Sequence, residues 1–540
     1  MSSSNSRLML QASPSAPLEQ LCSWLLGTTS HVVIGLTIGV IAARLMRRWH
    51  LHWSWAVAGL SLVALCRPVL KGSTSMLGIA AVSAIALGRR WHREDLEAGT
   101  DLAEIAADRQ RPLDLLRSYA HSLALRRRGA LGGGNWSRGE ELIVGSDQHS
   151  RVVSIPFGGN AGGSHALIVG ATGSGKTVTQ TWMAVRAIER GMGVVVIDPK
   201  GDRGMCEEVR RAARVGGRAF LEWTPAGASV YNPYAHGSDS EIADKALAGE
   251  PFSEPHYLRQ AQRYLGHVVR ALRSAGLQVS LRSIVTHLDP ARLEGLVRTL
   301  SESEARSTHA YLDSLTTRQR SDLAGVRDRL AILTESDVGA WLDPTTSSGE
   351  RFDLLEAVRA RAVVYFNLDA DSRPLLAQML GAAIVQDLQT TVASLQGRPI
   401  PTLVVIDEFS AVAAGQVVRL FGRARSAGMS LILSTQELAD LRLPGRERLL
   451  EQVMGNLSVL VAHRQVVPDS AELIASLAGR KGIWRTSQHG DGRTTRTRIR
   501  EGVLCADQVM SLERGWAAVI VLSGARSPRI VSVFTREQSK

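Results

Sequence analysis

Residues 165–180, HALIVGATGSGKTVTQ, decide how the rest of the chain is read. The stretch opens with a short apolar run, as a buried strand requires, and closes as the start of a helix. Between the two, Gly170, Ala171, Thr172, Gly173, Ser174, Gly175, Lys176 and Thr177 fit the pattern GxxxxGK[ST] at every required position. Glycines there let backbone N–H groups close around phosphate, an approach that side chains would block. The helix beginning at the lysine adds the positive end of its dipole. Lys176 reaches the β/γ-phosphates and the Thr177 hydroxyl ligates Mg²⁺. The loop therefore predicts ATP and Mg²⁺ as cofactors.

Further along, GVVVI at 193–197 reads as a second strand and makes a βαβ unit with the first. It runs into Asp198-Pro199-Lys200-Gly201-Asp202, which reads only as a turn with a proline brake. A third buried strand, TLVVI at 402–406, carries Asp407 and Glu408 at its C-terminal end. Open α/β sheets gather their ligands at that edge. Asp407 is expected in the Mg²⁺ shell, and Glu408 to orient or deprotonate the attacking water. Two more apolar runs follow, SLILS before Thr435-Gln436 and LSVLVAH before Arg464. Gln436, just beyond a buried strand beside the carboxylates, is the candidate sensor of the γ-phosphate.

The N-terminal region is of another kind. Leu21 to Ala43 is an uncharged, mostly apolar run that as a helix extends about 35 Å, enough to cross a bilayer. Arg44, Arg47 and Arg48 follow it, then apolar runs from Leu51 to Cys66 and from Gly72 to Gly88, closed by Arg89, Arg90 and Arg93. Trp24, Trp49, Trp53, Trp55 and Trp91 sit near segment ends, where indoles anchor at lipid headgroups. Placing both arginine clusters in the cytoplasm requires an even number of crossings between them. The expectation is a hairpin of the second and third runs, giving three helices, or two if those runs form a single span.

The 540 residues exceed one ordinary domain, and a hydrophobic content of 44% supports a sizeable core. The net charge of +12, nearly all of it from arginine, suits a nucleic acid or an anionic membrane surface, although arginine-rich codon usage gives the same excess. Cys22, Cys66, Cys206 and Cys505 form no CxxC pair, which argues against a zinc or disulfide scaffold.

Taken in order, GATGSGKT, DPKGD, Tyr231-Asn232-Pro233, the DEF triplet, GRARSAGMSLILSTQ and NLSVLVAHR resemble the type IV coupling proteins. These are the TraG/TraD-like ATPases of conjugation, within the FtsK/HerA class of P-loop motors. The resemblance covers roughly residues 140–535. It implies an α/β, RecA-like motor with a mostly parallel central sheet over 139–236 and 346–540, and an inserted all-α domain over 237–345. A juxtamembrane helix and linker would occupy 94–138, and N-terminal transmembrane helices 1–93. The family implies a homo-hexamer at the cell membrane with its motor in the cytoplasm, and the apolar runs make the expected protein multi-pass. Such a ring moves DNA, with a relaxase or other nucleoprotein substrate, toward type IV secretion channel components. Arg425 resembles an arginine that reaches the neighbouring subunit's ATP, with Arg423 as its competitor. The helix from about Ala411 to Ser426 lies between two core strands, and its end is expected near the catalytic edge.

Residues 484–500, WRTSQHGDGRTTRTRIR, read as a hairpin with Arg496, Arg498 and Arg500 on one face, suited to DNA phosphates or to a solvated edge. Three other functions compete with this reading. A double-stranded DNA translocase of FtsK type calls for a winged-helix domain after Arg536, where no room is seen. A transporter ATPase calls for an LSGGQ-like signature before Asp407, whereas Leu522-Ser523-Gly524 comes far after it. A nucleotide-switch membrane scaffold sits poorly with intact Lys176, Asp407 and Glu408.

Overall fold

A computed structural model describes residues 16–48, 51–66, 74–97, 137–138, 140–147, 151–158, 163–227, 229–249, 252, 254–345, 349–412, 414–442, 448–488, 494–523 and 527–534. The expected juxtamembrane helix falls almost wholly outside these residues. The chain divides into two units, one of residues 1–120 and 480–501 and the other of residues 121–479 and 502–540.

In the first unit, α1 (Ala16–Arg48), α2 (Ser54–Leu65) and α3 (Thr74–Glu97) correspond to the three apolar runs. α2 and α3 pack as the expected hairpin, with Trp53 at the start of α2 beside Gly88 and its ring 4.9 Å from the Arg89 guanidinium of α3, and α1 packs closely on α3 as well. Gly35 and Gly39 of α1 are buried against α3, and a Cβ on Gly39 would lie 1.8 Å from the Ser83 hydroxyl. Gly35 faces Ile79, Gly39 faces Ser83, and the Arg47 guanidinium lies 5.5 Å from the Trp91 ring centre. These pairs advance together, so α1 and α3 run parallel, with Arg44, Arg47, Arg48, Arg89 and Arg90 at one end. Small residues permit this close approach, and Ala43, Ala80 and Ala84 are buried with the glycines. Among the described residues only Thr29–Arg48 is long and apolar enough to cross a membrane. The 12 residues of α2 extend only about 18 Å, too short for a bilayer core. The C-terminal part of α3 is charged. The expectation of two or three spans thus reduces to one helix of spanning length. The same unit holds the expected hairpin, with strands Arg480–Gln488 and Thr494–Gly502. Arg498 and Arg500 are exposed on it, and the Arg496 side chain lies outside the described residues.

The second unit is built on a twelve-stranded sheet. Its strands, in chain order, are β1 (Ser137–Arg138), β2 (Glu141–Asp147), β3 (Val152–Pro156), β4 (Ala166–Val169), β5 (Gly193–Asp198) and β6 (Phe220–Trp223). A separate pair, β7 (Ser229–Tyr231) and β8 (Glu350–Phe352), comes next. The sheet continues with β9 (Val363–Asn367), β10 (Thr402–Ile406), β11 (Met429–Thr435) and β12 (Val459–Ala462). It ends with β15 (Trp516–Val521) and β16 (Arg529–Val533), the hairpin strands above being β13 and β14. The order β12-β4-β11-β10-β5-β9-β6 is parallel throughout. On the β12 side, β15, β16, β2 and the strands paired with β2 continue antiparallel.

The parallel strands read as unbroken apolar runs because both faces are covered. Leu167, Val195, Val364 and Val404 enter one core, and their neighbours Ile168, Val196, Tyr365 and Val405 enter the other. The second core is closed by the helices α4 (Lys176–Glu189) and α5 (Arg203–Val215) through residues such as Trp182, Met183 and Val209. Every described regular element between β7 and β8 is helical, and its apolar residues join the first core.

That helical segment is tied to the helix Pro374–Ser394 beside the sheet by a buried ion pair. Lys245, on helix Asp239–Leu247, donates to the Asp387 carboxylate at 2.6 Å and to the carbonyls of Pro233 and His236 at 3.0 and 2.6 Å. The Tyr231 hydroxyl donates to the other Asp387 oxygen at 2.7 Å. All three side chains are buried. Removing one partner of such a pair leaves an uncompensated charge, at a cost of about 3–5 kcal/mol. Lys245→Met should therefore destabilise the protein by that amount in denaturant unfolding, and an unchanged midpoint would show that the pair is not part of the fold's stability.

Candidate functional site

The sequence from Gly170 to Gly175 turns off the end of β4 into α4. Gly173 and Gly175 adopt φ of 76° and 116°, the left-handed region that favours glycine. Gly170 is small for a different reason, since a Cβ there would lie 2.6 Å from both His463 Cβ and Ser174 Oγ. The loop is braced by backbone bonds from the neighbouring chain ends. His463 N–H donates to the Val169 carbonyl at 2.7 Å, Ala171 N–H to that of Arg464 at 2.9 Å, and Gly515 N–H to that of Ser174 at 3.0 Å.

His463 supports the loop from behind. Its Nδ1 lies 3.0 Å from the Trp516 carbonyl, which can only accept, so Nδ1 carries the proton and Nε2 accepts from the Thr179 hydroxyl at 2.9 Å. Burial pushes its pKa down to about 4. His165, buried at the other end of β4, is also lowered to about 4, by burial and then by the Arg425 cation.

Lys176 Nζ donates to the Gly170 carbonyl at 2.5 Å and lies 3.9 Å from Glu408 Oε1. Its pKa is lowered, chiefly by burial and with help from the nearby Lys200 cation, while Glu408 and Asp407 oppose the shift. Asp407 continues the sheet, its N–H donating to the Ile197 carbonyl at 3.0 Å. Its Oδ1 accepts from Gln180 Nε2 at 2.9 Å and from the Ser434 hydroxyl. Gln180 stands about one turn beyond Lys176 on α4, so the helix that grips phosphate also aims the carboxylate. Glu408 has φ of 42°, a strained conformation for a non-glycine residue, and its N–H donates to Ser434 Oγ at 3.4 Å. Gln436 Oε1 accepts from the Thr172 hydroxyl of the loop at 3.1 Å.

A cavity of about 450 Å³ opens over these groups. Lys176, Thr177, Asp407 and Glu408 line it, together with Ala171, Thr172, Gly173 and Gly175. Ser174 is buried beneath the loop. The volume and the ring of cations and carboxylates fit a nucleotide phosphate chain with its divalent cation. Thr177 and Asp407 are the residues that could hold that cation.

Arg425 is not at this edge. Its Nε donates to the Gly163 carbonyl at 3.1 Å, before the N-terminal end of β4, whereas the phosphate loop follows the C-terminal end. The expectation that its helix ends near the catalytic edge is therefore reversed. A helix that follows a strand returns antiparallel to it, so Ala414–Ala424 delivers Arg425 to the opposite edge of the sheet. Reading the sequence by motif also missed Lys200, Gln180, Ser434, His463 and Arg514, which touch or line the site. Only Lys200 had a visible signal, in the DPKGD turn.

Residues 401–514 match the protein family described as the TraM recognition site of TraD and TraG, and residues 144–339 match the central domain of the helicase HerA. The type 4 coupling protein DotL of Legionella pneumophila is 22% identical over 352 residues, 53% of this chain and 45% of DotL. The chain thus spans less than half the length of that relative. Among solved structures, the bacterial conjugative coupling protein TrwBdeltaN70 superposes with a TM-score of 0.55 at 16% identity, over 76% of this chain and 93% of its own. TrwB with ADP and Mg²⁺ gives 0.55 at 18%, over 76% and 92%. VirB4 of Thermoanaerobacter pseudethanolicus gives 0.50 at 14%, over 75% and 98%. At these identities the structural likeness is one of fold, and the fold is the expected RecA-like α/β sheet.

His165 and His463 together make a stability prediction. Both bind a proton more readily in the unfolded chain, near pH 6.5, than in the folded one, near pH 4. Their neutral forms therefore impose no penalty above about pH 6.5, and stability falls as pH drops from there toward 4, by roughly 1.4 kcal/mol per unit for each histidine. Denaturant unfolding between pH 7.5 and 4.5 should show this slope, and His463→Gln should reduce it. An identical slope in that variant would remove His463 from the account.

Proposed function

We propose that this chain, a relative of the type IV coupling proteins within the P-loop ATPase class, hydrolyses ATP to drive DNA across the cell membrane. The cargo would be DNA with a relaxase or similar nucleoprotein, delivered to a type IV secretion channel by a ring of six identical subunits. The observation that carries this reading is the convergence of Lys176, Thr177, Asp407 and Glu408 on one cavity able to take a phosphate chain, with Gln436 bound to Thr172 of its loop. It lies in a chain whose matched segments belong to TraD/TraG and HerA families. The helix Thr29–Arg48 would anchor the protein in lipid. The exposed Arg498 and Arg500 would offer phosphate contacts. The division into motor, helical insert and membrane region belongs to the same proposal.

Thr177 and Asp407 would hold Mg²⁺, which would supply neutralisation of the phosphate charge. The loop from Gly170 to Gly175 and Lys176 bind and orient the phosphate chain. Gln180 and Ser434 keep Asp407 turned toward the cavity. Glu408 holds the attacking water and takes its proton. Gln436 links the loop through Thr172 to the end of β11, so the state of the phosphates is felt in the sheet. Lys176→Ala should abolish turnover. Glu408→Gln keeps the shape and loses the base, so turnover should fall by about 10²-fold or more with ATP still bound. Hydrolysis at the wild-type rate by Glu408→Gln would end the assignment.

Arg425 cannot serve the ATP of its own subunit from the opposite edge of the sheet, so any catalytic role must be in trans. Arginine suits that task because its fork stays charged. Arg425→Ala and Lys176→Ala should each be inactive, while mixed rings place an intact loop beside an intact arginine and should recover activity. No recovery at any ratio, in rings shown to be mixed, would count against Arg425.

A further inference from the structure

The turn after β5 is built to present one side chain. Asp198 is buried, and its carboxylate accepts the backbone N–H groups of Lys200 at 3.0 Å, Gly201 at 2.9 Å and Asp202 at 2.6 Å. The Tyr365 hydroxyl donates to the same carboxylate at 2.5 Å. Gly201 has φ of 72°, and a Cβ there would lie 2.6 Å from the Asn367 side chain. Asp202 then caps α5 by accepting from Met205 N–H at 2.8 Å. A turn held this firmly on both sides directs Lys200 into the cavity, where its Nζ donates to Glu408 Oε1 at 2.8 Å. The same oxygen lies 3.9 Å from Lys176 Nζ.

Two ammonium groups thus converge on one oxygen of the carboxylate that must receive a proton from water. Neither can be satisfied by Asp407 Oδ1, which is taken by Gln180 and Ser434. We infer that Lys200 is a ligand of the γ-phosphate that rests on Glu408 until nucleotide enters. The position is at the γ end because Lys200 touches the water-activating residue rather than the loop that holds the inner phosphates. The Lys200 side chain is 44% exposed on a flexible four-carbon stem, so it can swing from carboxylate to phosphate. Its departure frees Oε1 to accept from water, which couples arrival of the third phosphate to activation of the base. This rests on the ATPase reading of the site, and the test separates the two.

The test measures equilibrium binding of a non-hydrolysable ATP analogue and of ADP, each with Mg²⁺, to the full chain in detergent. Wild type, Lys200→Ala, Lys200→Arg and Lys176→Ala are compared. A charge-assisted contact to the third phosphate predicts that Lys200→Ala weakens the analogue on the order of tenfold to a hundredfold while ADP changes by less than about threefold. Lys200→Arg should keep part of the preference, and Lys176→Ala should weaken both nucleotides. Equal weakening of both by Lys200→Ala would mean that the residue only shapes the turn, and no change in either would mean a solvated ion pair. Either result overturns the inference while leaving the ATPase reading in place. Failure of the wild type to bind either nucleotide would overturn both.

Discussion

Seven neighbouring strands run the same way, and that alignment governs the rest of the molecule. In a parallel sheet every C-terminal end lies along one edge. The loop after β4, the Asp198 turn after β5, the Asp407-Glu408 pair after β10, Gln436 after β11 and His463 after β12 are therefore brought together from segments distant in sequence. The ladder fixes their relative height as well. A slip of one residue in β10 would exchange Val404 and Val405 between the two cores and turn the carboxylates away from the cavity. With both faces of the sheet buried, the apolar layers act as the jig in which the polar edge is assembled.

That edge is crowded with charge. Lys176, Lys200, Asp407 and Glu408 lie together, three of them buried or nearly so. Each is held by a group with little freedom: a carbonyl of the loop, a turn pinned by Asp198, or a glutamine on the helix that begins at the lysine. The strained backbone at Glu408 belongs to the same pattern, because departures from relaxed geometry persist only where the surroundings over-determine them. Lys176, Asp407 and Glu408, fixed in this way, need little rearrangement when an anionic ligand arrives, which is the condition for strong electrostatic catalysis, and the movement falls to Lys200 on its flexible stem.

The sequence was most legible where one physical rule acts alone. Strands buried on both faces appear as plain apolar runs, so β4, β5, β10, β11 and β12 could be read directly, and the glycine and lysine spacing of the loop marked the phosphate site. The partners of the site were hidden because they depend on contacts between distant segments. Nothing in the run Thr179-Gln180-Thr181 shows that Gln180 meets Asp407, and nothing around Ser434 shows that it meets the same carboxylate. Arg425 was misplaced although the information was present, since a helix leaving one edge of a sheet must arrive at the other. In the N-terminal unit the three helices were legible, but the close pairing of α1 with α3 was not. Hydropathy marks apolar runs without saying which of them pack, yet the small residues Gly35, Gly39 and Ala43, spaced four apart, were a visible sign that α1 offers a surface for close approach.

The helical segment between β7 and β8 is stitched to the sheet at its base by the parallel pairing of those strands, by Lys245 and Asp387, and by a core it shares with one face of the sheet. Beside these ties a cavity lined by Asp244, Leu258 and Gln262 of the segment and by Gln386, Gln416 and Arg419 of the helices beneath it leaves part of the junction unpacked. A tilt of the sheet would be passed to the helices through the strand pair, the ion pair and the shared core, in the way a crank carries its arm. Movement would be largest at the far ends of those helices and smallest at the phosphate cavity. For the same reason the insert cannot be exchanged as a cassette: a replacement would have to match the apolar surface of this particular sheet as well as the two strands that lead to it.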